Sequence, residues 1–216
     1  MANHVSTYVN FYRISEEGEA RLEELYQRIK GIDDDGVYEY VATDLFGEPD
    51  EVVEDYQWRI DHVGAKWCYI EDPDPNGFRL LSAWSVPWDL ISFVAEEIRK
   101  VDPDVFITVD YEDEMPNFVG WATWHSGSFD EGREWQWEEM LEWMRDNDEA
   151  LAACWDEEAE DWKEGMEDDA HDMLWDARAD FQEDVVNHTL MEEVHWYMDN
   201  EEDIKAELAE LENETV

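Results

Sequence analysis

Acidic side chains outnumber basic ones by 61 to 14 in this 216-residue chain, a formal net charge of −47. No other feature narrows the possible folds as much. Carboxylates held close together repel one another, so a compact state must offset that cost by apolar burial or counterions. The means is present: 44% of residues are hydrophobic and 14% aromatic, with 13 tryptophans. Large rings bury much area per residue, which favours packed cores over a disordered acidic chain. The length suits one sizeable domain or two small ones. The charge repels nucleic acid and anionic membranes. It favours cationic partners, meaning proteins with basic grooves or metal ions.

Cys68 and Cys154 make no disulfide framework and no CxxC pair. No apolar leader segment follows Met1, and no run of 18 apolar residues occurs. A soluble cytoplasmic protein is expected. The oligomeric state stays open, a dimer included.

The chain divides near Gly127. Residues 1–127 hold 28 acidic and 9 basic residues, whereas residues 128–216 hold 33 and 5. All six prolines and eight of the ten glycines lie in the first part. There "STYVNFYRI" (Ser6–Ile14) alternates as a half-buried strand does. Ser15 caps a helix with the stripe Leu22, Leu25, Tyr26 and Ile29, ended by Gly31. "DYQWRIDHVGAKWCYIED" and "GFRLLSAWS" are expected to pair as strands across the turn "DPDPNG" (Asp72–Gly77). Pro87 opens a second helix with Leu90, Ile91, Val94, Ala95, Ile98 and Val101 on one face. "DVFITVDY" (Asp104–Tyr111) is a further strand, which "FVGWATW" extends or pairs with. The order β-α-β-β-α-β predicts an α+β, ferredoxin-like domain over residues 1–127.

The opening "MANHVSTYVNF", the stretch "WRIDHVGAKW" (Trp58–Trp67) and "LLSAWSVPWDLI" resemble the YubB-type ferredoxin-like domains of phage and plasmid accessory proteins. Trp58, Gly64, Lys66 and Trp67 carry the family's "W…ENWGTKWD" signature. Trp84, Ser85 and Pro87 carry its Trp-Ser-x-Pro turn. Ala65 and Cys68 depart from the Thr and Asp usual there. The resemblance covers about residues 1–125. It implies a fold and a mobile-element origin, hence a host-cell cytoplasm, and it supplies no active-site residues.

Residues 128–216 are expected to form an acidic, Trp-rich helical extension. Ser128 and Glu131 make a capping box. Trp137, Leu141, Met144, Leu151, Trp155 and Trp162 recur as one helix face requires, with Asp146-Asn147-Asp148 as a break or recap. A second stripe runs Met166, Ala170, Met173, Ala177, Phe181 and Val185, then on to Val194 and Met198. Asn200 caps a short last helix.

The candidate chemistry is sparse. Asp168-x-x-His171 and Glu192-x-x-His195 resemble the carboxylate-x-x-His pairs of di-iron bundles, but in so acidic a segment such pairs arise by chance. Asp72–Gly77 matches the first half of a calcium loop, yet its twelfth position is Ala83 rather than Glu. Tyr8, Tyr12, Trp58 and Trp84 could present aromatic faces to RNA, but the basic footprint is missing. No G-x-S-x-G, P-loop or G-x-G-x-x-G occurs. The expectation is a protein without catalytic residues, metal or cofactor.

What remains is the acidic array. Residues 130–199 hold 26 acidic and 4 basic residues. Folded as a two-helix hairpin, that segment carries about one charge per 2.4 Å, near the ~1.7 Å of duplex DNA. Glu157, Glu160, Glu164, Asp168, Asp172 and Glu183, at helical spacing on the second long helix, are the expected contacts to a basic host protein. Glu138 and Glu142 on the preceding helix join them. The reading is a non-catalytic phage or plasmid accessory protein, a DNA mimic that inhibits a host nuclease, restriction or CRISPR complex, or transcription factor. The alternatives are an assembly protein of a virus or halophile whose acidity serves solubility, and a metal-binding helical module.

Overall fold

The alternation at the N terminus becomes strand β1 (His4–Tyr12), in which Val5, Thr7, Val9 and Phe11 are buried while His4, Tyr8 and Asn10 are exposed. The computed structural model describes residues 3–29, 56–115, 117–125, 128–156, 158–159 and 161–214. The chain divides into two compact units, Met1–Trp137 and Glu138–Val216.

Helix α1 (Glu16–Ile29) follows β1, and the Ser15 hydroxyl accepts the Gly18 N–H at 3.1 Å, as an N-cap does. The expected stop at Gly31 lies outside the described residues. Helix α2 (Tyr56–Val63) replaces the first half of an expected strand. A strand is expected here to pair across the Asp72–Gly77 turn, but contacts one turn apart hold a helix: Gln57 donates to Asp61 at 2.8 Å, and Trp58 stacks on His62 at 4.6 Å. Gly64, at φ +87°, ends it in a conformation that disfavours other residues.

Strands β2 (Cys68–Asp74) and β3 (Gly77–Ala83) form a hairpin around Pro75 and Asn76, as the turn sequence requires. Helix α3 (Trp88–Arg99) buries Leu90, Ile91, Val94, Ala95 and Ile98, which is its expected apolar face, whereas Val101 is exposed beyond its end. Strands β4 (Phe106–Asp113) and β5 (Phe118–His125) pair antiparallel.

Strand β6 (Ser128–Gln136) corrects the expectation of a capped helix. Its residues pair antiparallel with β5, with Arg133 opposite Trp121 and Trp135 opposite Val119. Gly132 weakens helix formation there, and edge pairing outweighs the capping signal. The boundary between units therefore falls about ten residues after Gly127, at Trp137. The six strands form one antiparallel sheet in the order β2-β3-β1-β4-β5-β6. One face joins α1, α2 and α3 in a core that includes Val9, Leu22, Leu80, Leu90, Ile98 and Val109.

The second unit opens with α4 (Trp137–Asn147), which buries Met140, Leu141 and Met144. Asp148 recaps the chain for α5 (Glu149–Ala153), its side chain accepting the Ala150 and Leu151 N–H groups at 2.8 and 3.1 Å. Trp155 and Trp162 do not continue a helical stripe. They pair across β7 (Trp155–Asp156) and β8 (Asp161–Trp162), their rings edge-on at 4.9 Å. The Asp156 carboxylate accepts the Glu158 and Ala159 N–H groups at 2.9 and 3.2 Å, so a local Asx turn competes with the helix and prevails.

Candidate interaction surface

A single long helix dominates the second unit. Helix α6 (Glu167–Phe181) runs through a π-helical segment (Gln182–Asn187) into α7 (His188–Glu214). Gln182 and His188, where the segments meet, keep right-handed helical angles. The helix does not break between Phe181 and His188, and Asn200 lies inside α7 rather than capping a new helix. Among the described residues the buried positions are Ala170, Ala177, Phe181, Val186, Leu190, Val194 and Tyr197. Phe181 to Val186 is a step of five, the hydrogen-bond span of a π turn. It places Val186 in the core and leaves the expected Val185 half-buried, like Met166, Met173 and Met198. The Thr189 hydroxyl donates to the Val185 carbonyl at 2.7 Å, meeting a backbone acceptor that the wider turn disturbs.

The continuous helix changes the charge spacing. Residues 167–214 hold 18 acidic and 2 basic residues, a net of −16. At ~1.5 Å per residue this is one charge per roughly 4.5 Å of axis, closer to the ~3.4 Å of one DNA strand than to the ~1.7 Å of a duplex.

The predicted acids separate into four groups. Asp168 and Asp172 on α6 and Glu183 in the π segment are exposed along the helix. Glu138 and Glu142 are exposed on α4, beside the buried Met140, Leu141 and Met144. Glu164 is exposed in the turn before α6, so it is not on the helix. Glu157 and Glu160 lie outside the described residues, next to the ends of β7 and β8. Glu164 therefore does not share a helix face with Asp168.

Two acids that the sequence reading passed over complete a ridge. Asp168, Asp172, Asp176 and Asp180 follow one another at four residues, Glu183 comes three later, and all five are exposed. Like charges at this spacing destabilise a helix by roughly 0.2–0.5 kcal/mol per pair. The exposed aromatics were also missed. Trp175 and Trp196 are 53% and 55% exposed, and Met191 is 37% exposed. The signal was available, since both rings fall off the apolar stripe. Arg178 lies 5.6 Å from the Trp175 ring centre, and Arg145 lies 4.4 Å from that of Trp155.

Asp168, His171, Glu192 and His195 are all exposed, whereas bundle ligands project into a core. His188 Nε2 is 3.5 Å from the Glu192 carboxylate. Among the described residues, no group of three His, Cys, Asp or Glu side chains could hold a metal ion. Cys68 and Cys154 are free and buried, and burial raises the Cys68 thiol well above its ordinary value. Thiolate chemistry at Cys68 is thereby suppressed.

In the first unit, cross-strand register lines up Glu71, Arg79, Tyr8, Asp110, Trp121 and Arg133 in one row across the sheet. Arg79 meets the Glu71 carboxylate at 3.1 Å, donates to the Ser6 hydroxyl at 2.9 Å and lies 5.4 Å from the Tyr8 ring centre. Burial, and secondarily the Glu112 charge, push the Asp110 carboxyl up to about 7. Burial also raises the Tyr8 phenol, with Arg79 opposing. Tyr8 and Trp84 are exposed, Tyr12 is half-buried and Trp58 is buried, so the four expected aromatics make no common platform. A crevice of about 350 Å³ near the β5–β6 edge is lined by Trp88, Tyr111, Trp121 and Glu134, among others. The Tyr111 hydroxyl donates to Glu134 at 3.1 Å. A Cβ at Gly120 would lie 2.5 Å from that hydroxyl, so only glycine leaves room for it.

These features define a mixed α+β protein with a six-stranded antiparallel sheet and a separate acidic helical unit. Among the described residues, no helix is long and apolar enough to cross a membrane. No family model matches the chain, and comparison with curated proteins and with solved structures finds no match.

Proposed function

We propose that the protein is a non-catalytic binding protein whose acidic helix occupies a cationic surface of a partner, in the place of nucleic acid. The observation that carries this reading is the ridge Asp168–Asp172–Asp176–Asp180–Glu183, exposed at every turn of one continuous helix. Aligning like charges costs stability, and a cationic partner relieves that repulsion. The partner class is a basic host protein that handles DNA or RNA, such as a defence nuclease, a restriction or CRISPR complex, or a transcription factor. The first unit is read as a ferredoxin-like scaffold of phage or plasmid origin, extended by β5 and β6. The order β2-β3-β1-β4 with antiparallel neighbours supports that arrangement.

A second reading has an observation of its own. The first unit is also acidic, with 31 acidic and 10 basic residues over 1–137. Adaptation to high salt spreads charge in this way. One pair of measurements separates the two readings. The protein captures a specific basic protein from host lysate, and capture weakens steeply as salt rises, because screening acts within about 8–10 Å. Replacing Asp168, Asp172 and Asp176 together by lysine abolishes capture and leaves the circular dichroism spectrum intact. Equal capture by that variant, with folding that requires molar salt, establishes salt adaptation instead.

A further inference from the structure

The outward face of α7 combines charge with an uncovered ring. Trp196 is 55% exposed, whereas Leu190, Val194 and Tyr197 on the same helix are buried. Glu192 lies one turn before it, and Asp199 and Asp203 lie one and two turns after it, all exposed on the same face. Met191 and His195 flank the ring, and both are exposed. The buried stripe Leu190, Val194 and Tyr197 faces the other way. Among the described residues no cation or ring is placed on Trp196, whereas the two arginines of this unit, Arg145 and Arg178, lie 4.4 and 5.6 Å from the ring centres of Trp155 and Trp175.

We propose that Trp196, between Glu192 and Asp199, seats an arginine of an arginine-rich protein segment. The inference rests on the reading of the acidic helix as a binding surface and names what that surface prefers. A guanidinium stacks flat on an indole and keeps its edge donors free for carboxylates one turn away on either side. Lysine offers a compact, strongly hydrated charge and gains less from the ring. A nucleic-acid occupant is repelled by the surrounding carboxylates, and a second copy of this chain brings the same charge. Charge complementarity therefore selects a basic peptide, and the ring selects arginine within it.

The test uses the full-length protein and two labelled twelve-residue peptides, one alternating arginine with serine and one alternating lysine with serine. Binding is read by fluorescence anisotropy at low and moderate salt. The arginine peptide binds about five- to tenfold more tightly than the lysine peptide, the discrimination expected of one partly desolvated cation–π contact. Trp196→Leu removes most of that preference, Trp196→Phe retains part of it, and both variants keep the parent helical signal. Equal affinity for the two peptides in the parent protein overturns the arginine seat while the acidic binding surface stands. Failure of both peptides to bind overturns the binding-surface reading itself. Concentration-dependent self-association that disappears in Trp196→Leu also overturns the proposal, by giving the ring to a second copy.

Discussion

Asp110 is the residue whose chemistry the fold alters most visibly. It sits in strand β4 with Tyr8 opposite on β1 and Trp121 opposite on β5. Its carboxyl is pushed up to about 7 from an ordinary 3.8. The folded chain therefore keeps a proton that the unfolded chain has released, so stability falls as pH rises from about 4 to about 7. Outside that window this group adds no slope. Asp110→Asn removes the effect, and the variant gains roughly 2–4 kcal/mol over the parent at pH 8 and little at pH 4. Urea unfolding of both proteins at the two values measures this. Parallel pH profiles would mean that Asp110 is solvated. Nothing in "VDYED" marks Asp110 apart from its acidic neighbours, because its burial comes from the strands on either side.

Among the elements, the π turn between α6 and α7 most affects what the helix presents. It inserts one residue into an otherwise regular apolar stripe, between Phe181 and Val186. Deleting Asp184 closes the turn to an ordinary α-helix and restores a four-residue step from Phe181 to the next buried side chain, Val186. Helical content and melting temperature then stay close to the parent. Inserting one alanine at the same place turns the distal stripe by about 100° and lowers the melting temperature sharply. If the two variants melt alike, the buried stripe does not hold this helix in place. The apolar residues of the stripe were legible in the sequence to Phe181. Beyond it Val194 was legible too, but the shift from Val185 to Val186 was not, because a π turn has no local sequence signature and exists only where packing on both sides demands it.

In the whole molecule, the sheet rather than the composition sets the boundary between the units. Strand β6 covers the outer edge of β5, and Trp135, opposite Val119, is 3% exposed. A fragment of residues 1–137 keeps this strand and is expected to stay soluble and folded. A fragment of residues 1–127 leaves the edge of "FVGWATWH" unpaired, and it is expected to aggregate. Size-exclusion chromatography with amide exchange on both fragments decides this, and a well-folded 1–127 fragment would place β6 outside the cooperative unit. The charge is divided between both units, so the steepest gain of stability with salt belongs to the second. Residues 138–216 carry 30 acidic and 4 basic residues.

Where neighbours along the chain hold the deciding information, the residues were sufficient. The Ser15 cap, the Pro75–Asn76 hairpin, the apolar face of α3 and the break before Asp148 all follow from contacts within a few positions. These signals act through local hydrogen bonds and side-chain spacing, which the sequence states directly. Packing decided the rest. Tyr56–Val63 chose helix over strand, Ser128–Gln136 chose strand over helix, and Trp155 and Trp162 met across a hairpin. At Ser128–Gln136 edge pairing on the order of kcal/mol outweighed local preferences of a few tenths of a kcal/mol per residue, whereas burial of the Trp58 ring and the contact of Trp155 with Trp162 reinforced the local contacts within Tyr56–Val63 and at Asp156. The acidic ridge and Trp196 belong to both kinds. Their spacing is written in the chain, but their exposure depends on which side of the helix Phe181, Val186, Leu190 and Val194 bury.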